Sequence, residues 1–217
     1  MNIGVGITVT SARPEHEKYW QDIAFNLTEG MTVTFVKDVK GIAAAKNECL
    51  RRLKDCDHIF LFDDDCFPIA NGWESLFIEA SNKTQYHHFN YLCRTQSIRP
   101  IEYMEGVDIV AYNNTAGCMM YLTKELLSKV GAFNEAFGIY GYEHAEYSFR
   151  CMKAQETIHA YVCPAEAQNY IYSLDLNDYL TFSFKHHPTL STDEMVKALH
   201  VSTEQFKKEV KEIYIPL

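Results

Sequence analysis

Ile3 to Val9 is a short run of apolar, largely β-branched residues, the pattern of a strand buried on both faces. Ser11-Ala12-Arg13-Pro14 then turns the chain, and Pro14, suited to a first helical position, predicts a helix through about Leu27. Thr/Val alternation from Met31 to Val36 predicts a second strand, and the Ala-rich stretch Gly41 to Leu53 a second helix. Ile59-Phe60-Leu61-Phe62 is a fully apolar strand that runs directly into Asp63-Asp64-Asp65. Asn71 to Ala80 continues as a helix. This β-α-β-α-β-α alternation implies a parallel sheet with helices on its faces.

The pattern changes after residue 80. Residues 86–122 read as strands and loops, ending in Cys118-Met119-Met120-Tyr121-Leu122. A short helix (Lys124 to Lys129), a loop rich in glycine and aromatics (Gly131 to Tyr142), a helix (Glu143 to Lys153) and a strand (Thr157 to Val162) follow. Two helical patterns close the chain, near Asp193 to His200 and Thr203 to Ile213, the second with Ser202/Thr203 and Glu204 as its cap. The expectation is a single α/β domain over 1–170, its mixed sheet mostly parallel with helices on both faces. An aromatic and histidine-bearing segment with C-terminal helices, 171–217, packs on the same domain.

Composition narrows the class. Apolar residues make up 47% of the 217 positions and charged residues 23%, which excludes intrinsic disorder. The net charge of −9 argues against a general nucleic-acid coat, which needs a basic face. Residues 37–54 run the other way, with Lys37, Lys40, Lys46, Arg51, Arg52 and Lys54 against Asp38 and Glu48. The seven cysteines form no C-x-x-C pair, which removes zinc-ribbon and thioredoxin readings and suggests free, buried thiols in a reducing compartment. No window approaches the roughly 20 apolar residues of a spanning helix, and the first residues lack the features of a secretory signal. The expectation is a cytoplasmic protein with no integral membrane segment.

Three stretches carry candidate chemistry. Ligands of open α/β sheets sit beyond the carboxyl ends of the strands. Asp63-Asp64-Asp65 lies there, and three adjacent carboxylates repel unless something cationic joins them; a hard divalent cation is the simplest compensation, a solvated acidic turn the plain alternative. Asp63 and Asp65 share a side if the chain stays extended, which turns Asp64 elsewhere, toward a ribose hydroxyl for instance. In the second stretch, Glu143 and His144 stand near a helix start and suit gripping hydroxyls or moving a proton. Glu146 and Arg150 form an i,i+4 pair, and a salt-bridged surface helix is the alternative reading. In the third, Gly41-Ile42-Ala43-Ala44-Ala45-Lys46-Asn47 leaves room at a helix start, where Lys46 is placed to meet a phosphate.

Taken in order, these blocks resemble a GT-A-fold glycosyltransferase. Ile7 to Pro14 is similar to the first strand and nucleotide loop of the family-2-like enzymes, and Asp38 with Gly41 to Asn47 to their "D…G-x-x-x-A-R/K-N" segment. Ile59 to Cys66 with Pro68 is similar to their "DxD" strand. Gly131-Ala132-Phe133-Asn134-Glu135 with Gly141 to Arg150 resembles a later block of the polypeptide N-acetylgalactosaminyltransferases and β-1,4-galactosyltransferases. The resemblance covers about residues 3 to 165. It implies a nucleotide-sugar donor, usually a UDP-sugar, with Mn²⁺ or Mg²⁺ on the diphosphate. Thr10, Ser11, Arg13, Asp38, Ala44, Lys46, Asn47, Asp63 and Asp64 would then line the nucleotide sugar. Asp63 and Asp65 would hold the metal, and Glu143 and His144 would be catalytic.

Two positions depart from the family. Inverting members usually carry Asp directly after the Glu, where this chain has His144, so stereochemistry is open with a lean toward retention. The later metal-binding His is absent from Ala167-Gln168-Asn169-Tyr170; His187, or His186 as the alternative, stands further on, and a surface pair before Pro188 is the other reading. Tyr170, Tyr172, Tyr179, Phe182 and Phe184 suit either a stacking lid or core. Trp73 reads as core. Glycan, protein, small-molecule and modified-DNA-base acceptors all stay open. A non-catalytic glycan- or nucleotide-binding module on a degenerate fold is the rival class, and a nucleotidyltransferase is disfavoured because Ser11 to Glu15 is no Gly-rich phosphate loop.

Overall fold

The structure is a computed structural model that describes residues 1–22, 24–176, 189–208 and 212–217. Its elements are β1 (Ile3–Val9), α1 (Pro14–Asp22), β2 (Thr32–Lys37), α2 (Ile42–Leu53), β3 (His58–Asp63), β4 (Cys66–Pro68), α3 (Trp73–Thr84) and β5 (His88–Asn90). β6 (Pro100–Met104), β7 (Ile109–Tyr112), β8 (Met119–Thr123), α4 (Lys124–Val130), α5 (Glu143–Lys153), β9 (Val162–Pro164), β10 (Ile171–Ser173) and α6 (Thr192–Phe206) follow. The main sheet has the order β2-β1-β3-β8-β5. β1 runs parallel to β2 and β3, whereas β8 runs antiparallel to β3 and β5, so the expected mixed sheet is present. A three-stranded sheet (β6-β7-β9) and a two-stranded ribbon (β4-β10) complete it.

Alternation along β3 divides the core in two. Phe60 and Phe62 face Trp20 of α1 and Trp73 and Phe77 of α3. Ile59 and Leu61 face Leu50 and Leu53 of α2, Leu126 and Val130 of α4, and Tyr147 of α5. On that second face, α2 comes down close because β1 offers Gly4 and Gly6. A Cβ on Gly6 would lie 2.7 Å from Cys49 Cβ, and one on Gly4 would lie 2.9 Å from Cys56 Sγ. All seven cysteines are free and buried, and Trp73 is core, donating its indole N–H to the Leu27 carbonyl at 2.8 Å.

Three expectations need correcting. The first helix stops at Asp22, and Ala24–Thr28 tightens into a 3₁₀ turn. The strand expected over Thr157 to Val162 is instead Val162–Pro164, because the chain reaches the edge of β7 only from Tyr161 onward; Thr157 turns its hydroxyl onto the His159 carbonyl at 2.8 Å. Where two helices were expected in the tail, the described residues hold one, Thr192–Phe206, which runs through both expected starts and is capped at Ser191 by a reciprocal box with Glu194. Ser202, read as a cap, sits inside that helix and bonds back to the Leu199 carbonyl.

Candidate active site

The carboxyl ends of β1 and β3 lie side by side, with Thr8 opposite Asp63 and the Thr8 hydroxyl donating to Asp63 Oδ1 at 3.2 Å. The Asp63 amide donates to the Cys118 carbonyl at 2.8 Å, so the neighbouring β8 end fixes it too. The Asp63 side chain is 24% exposed and those of Asp64 and Asp65 are nearly covered. The triplet is partly neutralised by the chain itself. Arg13 pairs with Asp64 at 2.7 Å and with Asp65 at 3.3 Å, and His16 Nδ1 lies 3.7 Å from Asp64. Asp64 thus turns onto Arg13, inside the protein.

Lys46 is fully buried beneath Asp63. Its ammonium donates to the Gly117 carbonyl at 2.6 Å and lies 3.4 Å from Asp63 Oδ1. Burial disfavours that charge, but Asp63 and Glu143 outweigh it and raise the ammonium's pKa. Asp63 is pushed up to about 6, first by burial and then by Asp65, Glu143 and Asp64, with Lys46 opposing. Asn47 points the other way along α2. Its amide donates to Phe133 O (3.0 Å) and Glu135 Oε1 (2.8 Å) and accepts from the Phe133 amide (2.8 Å). Asp64, Lys46 and Asn47, expected at the nucleotide sugar, all have protein partners in this structure.

The loop after β1 is pinned by Asp38, which accepts from the Ser11 amide at 2.7 Å and the Ser11 hydroxyl at 2.5 Å. Those bonds hold the Asp38 carboxyl below its usual range. Thr10 caps the same turn, accepting from the Ala12 amide at 3.2 Å. Ala44 is half-buried on the first turn of α2. Gly41, just before that helix at φ +96°, must be glycine twice over, since a Cβ would also lie 2.8 Å from the Gly138 carbonyl.

Glu143 opens α5, 2% exposed, and accepts from His144 Nδ1 at 3.0 Å. Burial works against its ionisation, yet His144 and Lys46 prevail and hold its pKa down at about 2. The His144 ring rests on Gly117, where a Cβ would lie 2.7 Å from ring atoms. One backbone residue thus meets Lys46 through its carbonyl and His144 through its missing side chain. His187 and His186 lie outside the described residues, as do Tyr179, Phe182 and Phe184.

Four site residues carried no signal in the sequence: Thr8, His16, Gly117 and Asp175. The Leu174 amide donates to the Asp65 carbonyl at 2.9 Å, which brings Asp175 to the acidic end. The Tyr140 phenol pKa is raised by burial and then by Asp175, Glu143, Asp63 and Asp65, which places its ring at the same mouth. Asp63 and Asp65 stand two residues apart at this strand end, and carboxylate oxygens are the ligand type that Mg²⁺ and Mn²⁺ prefer.

A mixed α/β sheet with this acidic strand end is the layout expected of a GT-A-type glycosyltransferase. No family model matches the chain. Over 125 residues it is 33% identical to a protein of Acanthamoeba polyphaga mimivirus named as an uncharacterized glycosyltransferase, covering 52% of this chain and 46% of that protein. The chain therefore spans about half the length of this curated relative. Among solved structures, a Drosophila β-1,4-galactosyltransferase 7 in complex with manganese, UDP-Gal and xylobiose is 12% identical. It covers 71% of this chain and 63% of its own, with a TM-score of 0.46. A mannosyltransferase from Pyrobaculum calidifontis in complex with GDP-Man and Mn²⁺ is also 12% identical, over 67% and 51%, with a TM-score of 0.43. These structural scores are too low to bear on the donor or metal of this chain. Among the described residues no helix is long and apolar enough to cross a membrane.

Proposed function

We propose that this chain carries the donor-binding and catalytic region of a metal-dependent glycosyltransferase that moves a sugar from a UDP-sugar to a hydroxyl acceptor. The observation that carries the reading is the convergence of Asp63, Asp65, Lys46, Glu143 and His144 at one end of the parallel strands. A bound Mn²⁺ or Mg²⁺ would be held by Asp63 and Asp65 and would supply charge stabilisation to the diphosphate leaving group. Thr10, Ser11 and Arg13 line the loop where the nucleoside would rest, and Asp38 holds that loop in shape.

Glu143 fixes the His144 ring through Nδ1 and leaves Nε2 on the far side as a proton acceptor. A carboxylate-oriented imidazole is the arrangement of a general base for an acceptor hydroxyl. A base on the acceptor suits direct displacement, so the geometry supports inversion over the retention toward which the sequence leaned. The test is UDP release from a panel of UDP-sugars with Mn²⁺, with the anomeric configuration of any transfer product read by NMR. UDP release lost in Asp63→Asn supports the enzyme reading. No release and no UDP binding would favour the non-catalytic module. A retained anomer would remove the base role of His144.

A further inference from the structure

At the far end of the main sheet, three side chains of metal-ligand type converge. His87 precedes β5, Glu125 lies in the first turn of α4, and Glu156 follows α5. Each offers one ligand atom, and those atoms lie within 4.8 Å of one another. His87 Nε2 is 3.7 Å from Glu125 Oε2 and 3.9 Å from Glu156 Oε2. This end is remote from Asp63, because β8 pairs antiparallel with β3 and sets Thr123 opposite His58.

We infer that His87, Glu125 and Glu156 form a binding site for a divalent transition-metal cation of the zinc type. Four observations support it. First, Glu156 is buried, its side chain 6% exposed, and its Oε2 has no hydrogen-bond partner among the described residues. A buried carboxylate oxygen aimed at an imidazole nitrogen asks for a cation or a proton between them. Second, Lys129 takes the other oxygens, lying 2.7 Å from Glu125 Oε1 and 2.8 Å from Glu156 Oε1. It therefore orients both carboxylates and leaves both Oε2 atoms facing His87.

Third, the imidazole is already oriented. His87 Nδ1 lies 3.1 Å from the Thr123 hydroxyl, so Nδ1 as donor leaves the Nε2 lone pair toward the carboxylates. The backbone adds to this, with the His87 amide donating to the Glu156 carbonyl at 3.0 Å and the Thr123 amide to the His87 carbonyl at 3.1 Å. Fourth, a cavity of about 240 Å³ lined by His87, Thr123, Glu125, Asp57, Ser81 and Asn82 opens beside the group and gives an exogenous water or ligand access. One nitrogen and two oxygens around an open position match catalytic and regulatory zinc sites better than magnesium or calcium sites. With two edges of 3.7 and 3.9 Å and a third of at most 4.8 Å, the triangle's centre lies roughly 2.1–2.5 Å from each corner, near ordinary Zn–N and Zn–O bond lengths.

The test is a titration with Zn²⁺, and with Co²⁺ as its coloured substitute, of the full chain carrying Asp63→Asn and Asp65→Asn, so that the proposed donor site takes no metal. The expected result is one metal per chain, with visible Co²⁺ bands of a low-coordinate N/O site. His87→Gln and Glu156→Gln should each abolish it. Thr123→Val should weaken it by about 10- to 100-fold, the usual effect of removing a partner behind a metal-bound imidazole. If Glu156→Gln fails to fold by circular dichroism, His87→Gln, at a half-buried position, decides alone. No binding in the double-Asn chain, or binding unaffected by His87→Gln, overturns the assignment.

Discussion

Glu143 is a buried carboxylate held in its charged form by cationic neighbours. Its folded pKa lies near 2 against an ordinary value of 4.5. A depressed carboxyl stabilises the fold above the unfolded pKa, and that stabilisation is lost as pH falls through the folded value. Glu143→Gln should therefore lower stability at neutral pH by an amount on the order of 3 kcal/mol at most. It should also flatten the acid limb between about pH 4.5 and 2. Urea denaturation across that range reads both effects; parallel pH profiles for the two chains would contradict the account. Lys46 is the matching case on the cation side. Lys46→Met leaves the partly exposed Asp63 and the buried Glu143 with one positive neighbour fewer and strands the Gly117 carbonyl. The expected loss is about 1–3 kcal/mol, less than for a fully buried pair because Asp63 is partly exposed and can take up a proton, and urea denaturation measures it.

At the scale of elements, the site is held by contacts between segments far apart in sequence. Asn47 on α2 is bonded three ways to the loop before α5. Asn47→Ala should cost about 1–3 kcal/mol by stranding the Phe133 amide, measured by chemical denaturation. Gly117→Ala is a finer probe. Its Cβ would strike the His144 ring at 2.7 Å, so turnover should fall while Mn²⁺-dependent UDP binding holds. Equal losses in both would place Gly117 in the donor pocket instead. β1, α2, β3 and α5 were legible in the sequence because buried parallel strands run as unbroken apolar stretches and α5 has clear helical spacing. The three-residue strands β4 and β10 were not, because their pairing is tertiary and leaves no period. The same limit applied to surroundings: that Lys46, Asn47 and Asp64 are buried against protein partners could not be read from their residue types. Asp175 was invisible because only the β4-β10 ribbon brings it to the acidic end.

Across the whole molecule, the last described residues tie back to the site's support. Arg150 is fully buried and donates to Glu146 Oε1 (2.8 Å) and to the carbonyls of Val130 (2.8 Å), Ala132 (2.7 Å) and Ile213 (3.1 Å). Phe206 of α6 stacks on Tyr142 at 5.0 Å, one residue before Glu143. The i,i+4 pair Glu146–Arg150 is present as expected, and it is a buried clamp, not the salt-bridged surface pair of the alternative reading. The net charge of −9 is also unevenly placed, with Arg13 and Lys46 set against the acidic strand end, where burial first and then the neighbouring carboxylates raise the Asp63 pKa. The most direct test is calorimetric titration of UDP into the chain with and without Mn²⁺, for the natural sequence and for Asp65→Ala. The account predicts Mn²⁺-dependent UDP binding in the first and its loss in the second. Mn²⁺-dependent binding that survives Asp65→Ala, or no UDP binding by the natural chain, would contradict it.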